Sequence, residues 1–251
     1  MKNTVDNLSK SKVILMCGPA GAGKSTLAKK FESTGMTILS YDEESFKRGF
    51  NEHPLPQEVL EDIKTYLDEK LISLIMQNID IVLDYSFWSN NIGILGFSQG
   101  ARVMAELLKE VHSIKFAISW SGACHDGIGV FKGWFDEYYQ EALENGYAKI
   151  PMFWRENLLL SKKWFDDIRD TTPMMGLRMY EGPILAIAGD KDELVPYYHA
   201  KEIVENSKNE NSKTVIVKNS NHTFNVLMPN ESKANDVIEQ TIQWINKVLI
   251  I

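Results

Sequence analysis

The stretch SFWSNNIGILGFSQGARV, residues 86–103, decides how this chain is read. Ile92–Leu95 is a short apolar run of the kind that forms a buried strand. Gly96-Phe-Ser98-Gln-Gly100 follows at once, and Gln99–Val111 then carries apolar residues at helical spacing. A strand, a glycine-flanked serine and a helix in direct succession describe a sharp turn that exposes its central residue. The residues before this stretch follow one pattern and those after it another, so the fold depends on how the two join.

Upstream, Val13–Cys17 reads as a strand, Ser25–Ser33 as a helix and Thr37–Tyr41 as a second strand. Val59, Leu60, Ile63, Leu67, Leu71, Leu74 and Ile75 mark a helix within 56–78, and Ile79–Leu83 is a third strand. Downstream, Phe116–Trp120, Ile184–Ala188 and Thr214–Val217 bring the strands to seven, with late helices at Tyr198–Asn206 and Ala234–Val248. Alternating strands and helices predict a doubly wound, mainly parallel sheet. The exception is 126–182, a long aromatic-rich insertion that reads as a helical cap, either with its own small core or also lining an apolar substrate pocket.

The 251 residues are 44% hydrophobic and 24% charged, enough to bury a sizeable core. A net charge of −7 without a basic stretch argues against nucleic-acid and anionic-membrane partners. No run is long enough to span a bilayer, and the first residues lack the apolar segment of a signal peptide. Cys17 and Cys124 have no metal-ligand spacing and read as buried free thiols, so the expected location is the cytoplasm.

Gly18-Pro-Ala-Gly21-Ala-Gly23-Lys24-Ser25-Thr26 fits G-x-x-x-x-G-K-[ST] between a strand and a helix. Glycines there let backbone N–H groups converge on phosphate at a helix N-terminus. Lys24 adds a point charge and Ser25 a magnesium-binding hydroxyl. Asp84 ends the apolar run IDIVLD, where a second magnesium carboxylate stands in such proteins, and Asp42 sits where a base could act on a hydroxyl acceptor. By type, either aspartate also suits a loop or a helix cap. Residues 12–91 resemble small P-loop kinases of the zeta-toxin and polynucleotide-kinase type, through GPAGAGKST, SYDEESF and VLDYSFW. The resemblance implies Mg·ATP at Gly18, Gly21, Gly23, Lys24, Ser25 and Thr26. The arginine-bearing lid and the adenine-holding strands of such kinases do not follow Trp88.

Gly96–Gly100 fits G-x-S-x-G in its strand-to-helix context, the nucleophile elbow. GDKDELVP follows a strand and supplies Asp192, with Asp190 as a rival, and NSNHTFN follows the last strand and supplies His222. In this chemistry the histidine takes the serine proton and the carboxylate holds the imidazole tautomer, so Ser98, Asp192 and His222 form a candidate catalytic set. Residues 92–251 resemble the carboxylesterase and feruloyl-esterase-like α/β-hydrolases, through IGILGFSQGARV, FAISWSG, PILAIAGDKDELVP and NHTFN. That resemblance implies a small-molecule ester substrate, no cofactor for hydrolysis, and the backbone N–H of Gln99 as one oxyanion donor. The family's four strands before the elbow, and the loop that gives the other donor, are missing from this half.

Joining the halves at Asn91/Ile92 predicts one fused domain over 1–251, with a P-loop half (1–91), a hydrolase half (92–251) and strand order 2-3-1-4-5-6-7. The alternatives to an esterase are an ATP-binding protein of kinase descent and a recombined scaffold without efficient catalysis.

Overall fold

The computed structural model describes residues 12–17, 37–40, 91–151, 157–228 and 230–249. Its main sheet has six strands: β1 (Lys12–Cys17), β2 (Thr37–Ser40), β3 (Asn91–Phe97), β4 (Phe116–Trp120), β7 (Ile184–Gly189) and β8 (Lys213–Val217), in the order β2-β1-β3-β4-β7-β8. Every pairing in it is parallel. The expected order needs one correction. Val13 pairs directly with Thr37 and Met16 with Ser40, while the other edge of β1 pairs with β3 from Lys12↔Asn91 to Cys17↔Gly96. A strand has two hydrogen-bonding edges, and both edges of β1 are taken, so none can lie between β1 and β2. Residues 79–83, expected there, lie outside the described residues, as do Gly18–Thr26, Asp42 and Asp84.

Side chains of successive strand residues point to opposite faces, and the two faces are built differently. Ile92, Ile94, Ala117, Ile184, Ala186 and Ala188 join one buried cluster, which includes residues of helices α1 (Gln99–Leu107), α4 (Pro173–Met179) and α5 (Tyr198–Glu205). Leu95, Phe116, Ile118, Trp120, Leu185 and Ile187 join the other, beneath helix α6 (Ala234–Leu249) with Val237, Ile238, Trp244 and Ile245. The first face mixes isoleucines with alanines and has no aromatic strand residue among these six, whereas the second carries Phe116 and Trp120.

Between β4 and β7 lie helix α2 (Lys132–Asn145), the antiparallel pair β5 (Tyr147–Ile150) and β6 (Leu158–Ser161), and helix α3 (Lys162–Asp170), followed by α4. The insertion is thus not wholly helical. Its rings pack on one another: Phe131 meets Trp164 edge-on at 5.3 Å between centroids, and Phe135 meets Phe165 at 5.0 Å. Phe165 is fully buried, and Trp134 and Tyr139 are partly buried against the same cluster. Among the described residues, no helix is long and apolar enough to cross a membrane.

Candidate active site

Ser98 is the single residue between β3 and α1, with φ 54° and ψ −122°. A non-glycine residue at positive φ is costly, and such strain concentrates at functional positions. The surroundings hold it there. Its N–H donates to the Trp120 carbonyl at 2.9 Å, and its own carbonyl accepts from Ala101 and Ala123, each at 3.1 Å. Gly96 makes the turn possible, since a Cβ there would lie 2.4 Å from Ala101 Cα and 2.5 Å from the Gly100 carbonyl oxygen. Gln99 is the first residue of α1, at the end of the helix where free N–H groups gather.

His222 reaches Ser98 from the turn after β8. Its Nε2 is 3.0 Å from Ser98 Oγ, and its Nδ1 is 2.8 Å from Asp192 Oδ2. Three features fix that turn. Asn221 Oδ1 accepts from the N–H groups of Thr223 (3.1 Å) and Asn225 (2.8 Å), and the Asn225 side chain donates to the Asn219 carbonyl at 2.7 Å. Asn219, Phe224 and Asn225 all take positive φ, which asparagine tolerates better than most residues. The β7 end approaches so closely that a Cβ on Gly189 would lie 2.1 Å from the Ser220 carbonyl oxygen.

Asp192 is held for its contact. Oδ1 accepts from the N–H groups of Leu194 (3.0 Å) and Val195 (2.8 Å), which leaves Oδ2 for the imidazole. Its side chain is wholly buried and that of His222 is 13% exposed, so water screens this pair weakly. Asp190 points elsewhere: Oδ1 accepts from Ser220 N–H at 3.4 Å and Oδ2 lies 3.5 Å from Lys218 Nζ. The structure thus brings Ser98, His222 and Asp192 together and leaves Asp190 aside.

Two supports carried no assigned role in the sequence reading. Ser121, buried at φ 46° just after β4, donates from Oγ to the His222 carbonyl at 2.9 Å and fixes the histidine from behind. Arg102, on α1 one turn after Ser98, is 1% exposed. Its guanidinium donates to the carbonyls of His125 (2.8 Å), Gly127 (2.8 Å) and Ile168 (2.6 Å), and to Thr171 Oγ1 (2.8 Å). It ties the elbow helix to the loop after β4 and to the end of α3, where carbonyls carry the negative pole of the helix. Burial lowers its pKa from the ordinary arginine value, while Cys124, Glu106 and Asp126 pull it upward. The only sequence signal for either residue was its place in the quoted motifs, GARV and SWSG.

β1 ends at Cys17, paired with Gly96, two residues before Ser98. Neighbouring strands stand about 4.8 Å apart, so the end of β1 lies beside the strand that leads into the elbow.

Comparison with known proteins agrees with a chain in two parts. A model of the AAA domain matches residues 13–102, and one of the prolyl oligopeptidase family matches residues 61–250. No curated protein matches the sequence. Among solved structures, Est1E from Butyrivibrio proteoclasticus superposes with a TM-score of 0.69 at 18% identity, covering 97% of this chain and 90% of that one. A structure titled for the metagenome-derived lipolytic enzymes LipS and LipT gives 0.66 at 12% identity, covering 94% of each chain. An esterase from Exiguobacterium antarcticum gives 0.63 at 13% identity, over 95% of this chain and 93% of that one. These likenesses share the fold: a mainly parallel α/β sheet of hydrolase type. With the larger family match spanning the elbow, the cap and both loops that meet at Ser98, this chain belongs to the prolyl oligopeptidase family and carries an AAA-domain-like segment that begins before that match and overlaps its start.

Proposed function

We propose that the chain is a serine hydrolase that cleaves small-molecule carboxylic esters, with Ser98 as nucleophile, His222 as general base and acid, and Asp192 as the residue that orients the imidazole. One observation carries this reading: the continuous contact from Ser98 Oγ through His222 to Asp192, at 3.0 and 2.8 Å, on a serine held at positive φ between strand and helix. Solved structures of similar fold named as esterases and lipolytic enzymes support it, one of them Est1E with ferulic acid bound.

In the first step Ser98 Oγ attacks the ester carbonyl carbon as His222 Nε2 takes the hydroxyl proton. Asp192 accepts the Nδ1–H and stabilises the imidazolium that forms. Negative charge develops on the carbonyl oxygen, where the Gln99 N–H at the start of α1 is the nearest backbone donor in sequence. His222 then gives its proton to the leaving alcohol, and the carbon–oxygen bond breaks to leave acyl-Ser98. Water repeats the sequence, with His222 as base, to release the acid. The second oxyanion donor comes, in this reading, from the glycine-rich segment after β1, because β1 occupies the strand position beside the elbow.

The AAA-domain match supports a second ligand class at that segment, a nucleoside triphosphate or other phosphate held by Gly18, Gly21, Gly23, Lys24, Ser25 and Thr26. Asp84 and Ser25 would be the magnesium ligands and Asp42 the base of any residual phosphoryl transfer.

Fluorophosphonate labelling tests the hydrolase reading. Wild-type protein is expected to label at Ser98 and to turn over short-chain p-nitrophenyl esters, and Ser98→Ala to do neither. Full labelling of the alanine variant overturns the assignment.

A further inference from the structure

Behind the candidate active site, three side chains from two elements bring one donor atom each to a common point. His125 lies in the loop after β4, and His199 and Glu202 lie on α5, which begins just after the turn that carries Asp192. His125 Nε2 is 2.5 Å from His199 Nδ1 and 2.7 Å from Glu202 Oε2, and His199 Nδ1 is 3.5 Å from the same oxygen. We propose that His125, His199 and Glu202 form a divalent-cation site of zinc type that clamps the β4 loop to α5.

The donor set fits. Two imidazole nitrogens and one carboxylate oxygen suit zinc and its first-row neighbours, and they leave a fourth position for water. Ligand atoms on a tetrahedral zinc at 2.0–2.1 Å stand about 3.3 Å apart, and the observed separations lie on either side of that value. Small side-chain rotations open the two shorter ones to it. His199 and Glu202 are spaced i, i+3 on one helix and so project from one face. His125 is pinned from its backbone, since Arg102 donates to its carbonyl at 2.8 Å.

Hydrogen bonding alone leaves this cluster incomplete. Glu202 Oε2 is a buried atom with no hydrogen-bond partner, although two imidazole nitrogens lie close to it. One proton joins two heteroatoms, whereas one cation satisfies three. An entry path exists: the side chains of His125 and Glu202 are 29% and 39% exposed, while that of His199 is 8% exposed and forms the floor. The site lies outside the Ser98–His222–Asp192 contact. It joins the loop whose Ser121 holds the His222 carbonyl to the helix that follows Asp192. This inference does not depend on the esterase reading.

The test uses the full chain after dialysis against a chelator. Calorimetry with Zn²⁺ is expected to show a single binding event, and Co²⁺ to develop visible d–d absorption as nitrogen and oxygen ligands replace water. The melting temperature should rise with added Zn²⁺, because a ligand that binds only the folded state stabilises it. His199→Ala and Glu202→Gln should each weaken Zn²⁺ binding by at least about tenfold, since even residues that merely support metal ligands cost that much. His112→Ala, at an exposed histidine outside the cluster, should bind as wild type. Glu202→Gln keeps shape and polarity at a half-exposed position, so it guards against variants that fail to fold. Absence of binding to wild type at millimolar Zn²⁺ and Co²⁺ overturns the proposal and leaves a proton-sharing cluster. So does binding that Glu202→Gln leaves unchanged, because the metal is then held elsewhere.

Discussion

Replacing Asp192 by asparagine separates it from Asp190 and tests how the imidazole is used. Asp192 Oδ1 accepts two backbone N–H groups, at 3.0 and 2.8 Å, and Oδ2 faces His222 Nδ1 at 2.8 Å. In Asp192→Asn the amide oxygen keeps the two N–H donors, because an amide nitrogen in that place would oppose them. The amide nitrogen therefore faces His222 Nδ1, which must now accept rather than donate. The ring proton moves to Nε2, 3.0 Å from Ser98 Oγ, where the reaction needs a lone pair. Size and packing hardly change, so the fold survives while the base is lost. An imposed wrong tautomer of this kind lowers kcat by about 10⁴ in serine-protease triads, equal to roughly 5.5 kcal/mol of barrier. Asp190→Asn alters only the contacts to Ser220 and Lys218, and should change the rate by less than about threefold. The assays are fluorophosphonate labelling rate and p-nitrophenyl ester turnover, with urea unfolding to confirm that both variants are folded. If Asp192→Asn keeps more than about a tenth of wild-type activity, or Asp190→Asn loses as much as Asp192→Asn, the reasoning fails.

Arg102→Met should cost about 3–5 kcal/mol, read as a lower urea midpoint at unchanged slope, because the backbone carbonyls it bonds and Thr171 Oγ1 lose their donor; a loss under about 1 kcal/mol would show that water replaces the guanidinium. Burial, the largest cause, pushes the Cys124 thiol up to about 12, so the native protein holds almost no thiolate there near neutral pH. Peptide mapping should find Cys124 unalkylated until urea unfolds the chain, and native alkylation would contradict its burial. With β1 ending beside Gly96, Mg·ATP or pyrophosphate should slow Ser98 labelling, and Lys24→Ala should remove the effect; labelling that stays flat across a saturating titration rejects a shared site. Residues 92–251 expressed alone expose the β3 edge that β1 covers and should aggregate or stay molten; a soluble fragment with a sharp melting transition would make the halves independent.

The strand, turn and helix around Ser98 were legible in sequence because the information is local. An apolar run, glycines where a side chain cannot fit, and helical spacing all lie within 92–111. β4, β7, β8, α5 and α6 were legible for the same reason, each ending within a residue of its expected bounds. Sequence also pointed to Asp192, with Asp190 as a rival on the same loop. What separates the two physically is tertiary: the turn at Asp192–Val195 aims two N–H groups at one oxygen and frees the other for His222, whereas Asp190 faces Lys218. The direct pairing of β2 with β1 was equally out of reach, because an apolar strand accepts a neighbour at either edge and only the competition for edges decides which one. So was the β5–β6 pair, whose four-residue strands have too little pattern to distinguish them from a bend. Arg102, Ser121 and the His125–His199–Glu202 cluster are the extreme case. Their partners lie far along the chain and act through backbone carbonyls or shared lone pairs, which leave no mark on residue type or spacing, and only the packing of α1, the β4 loop and α5 brings them together.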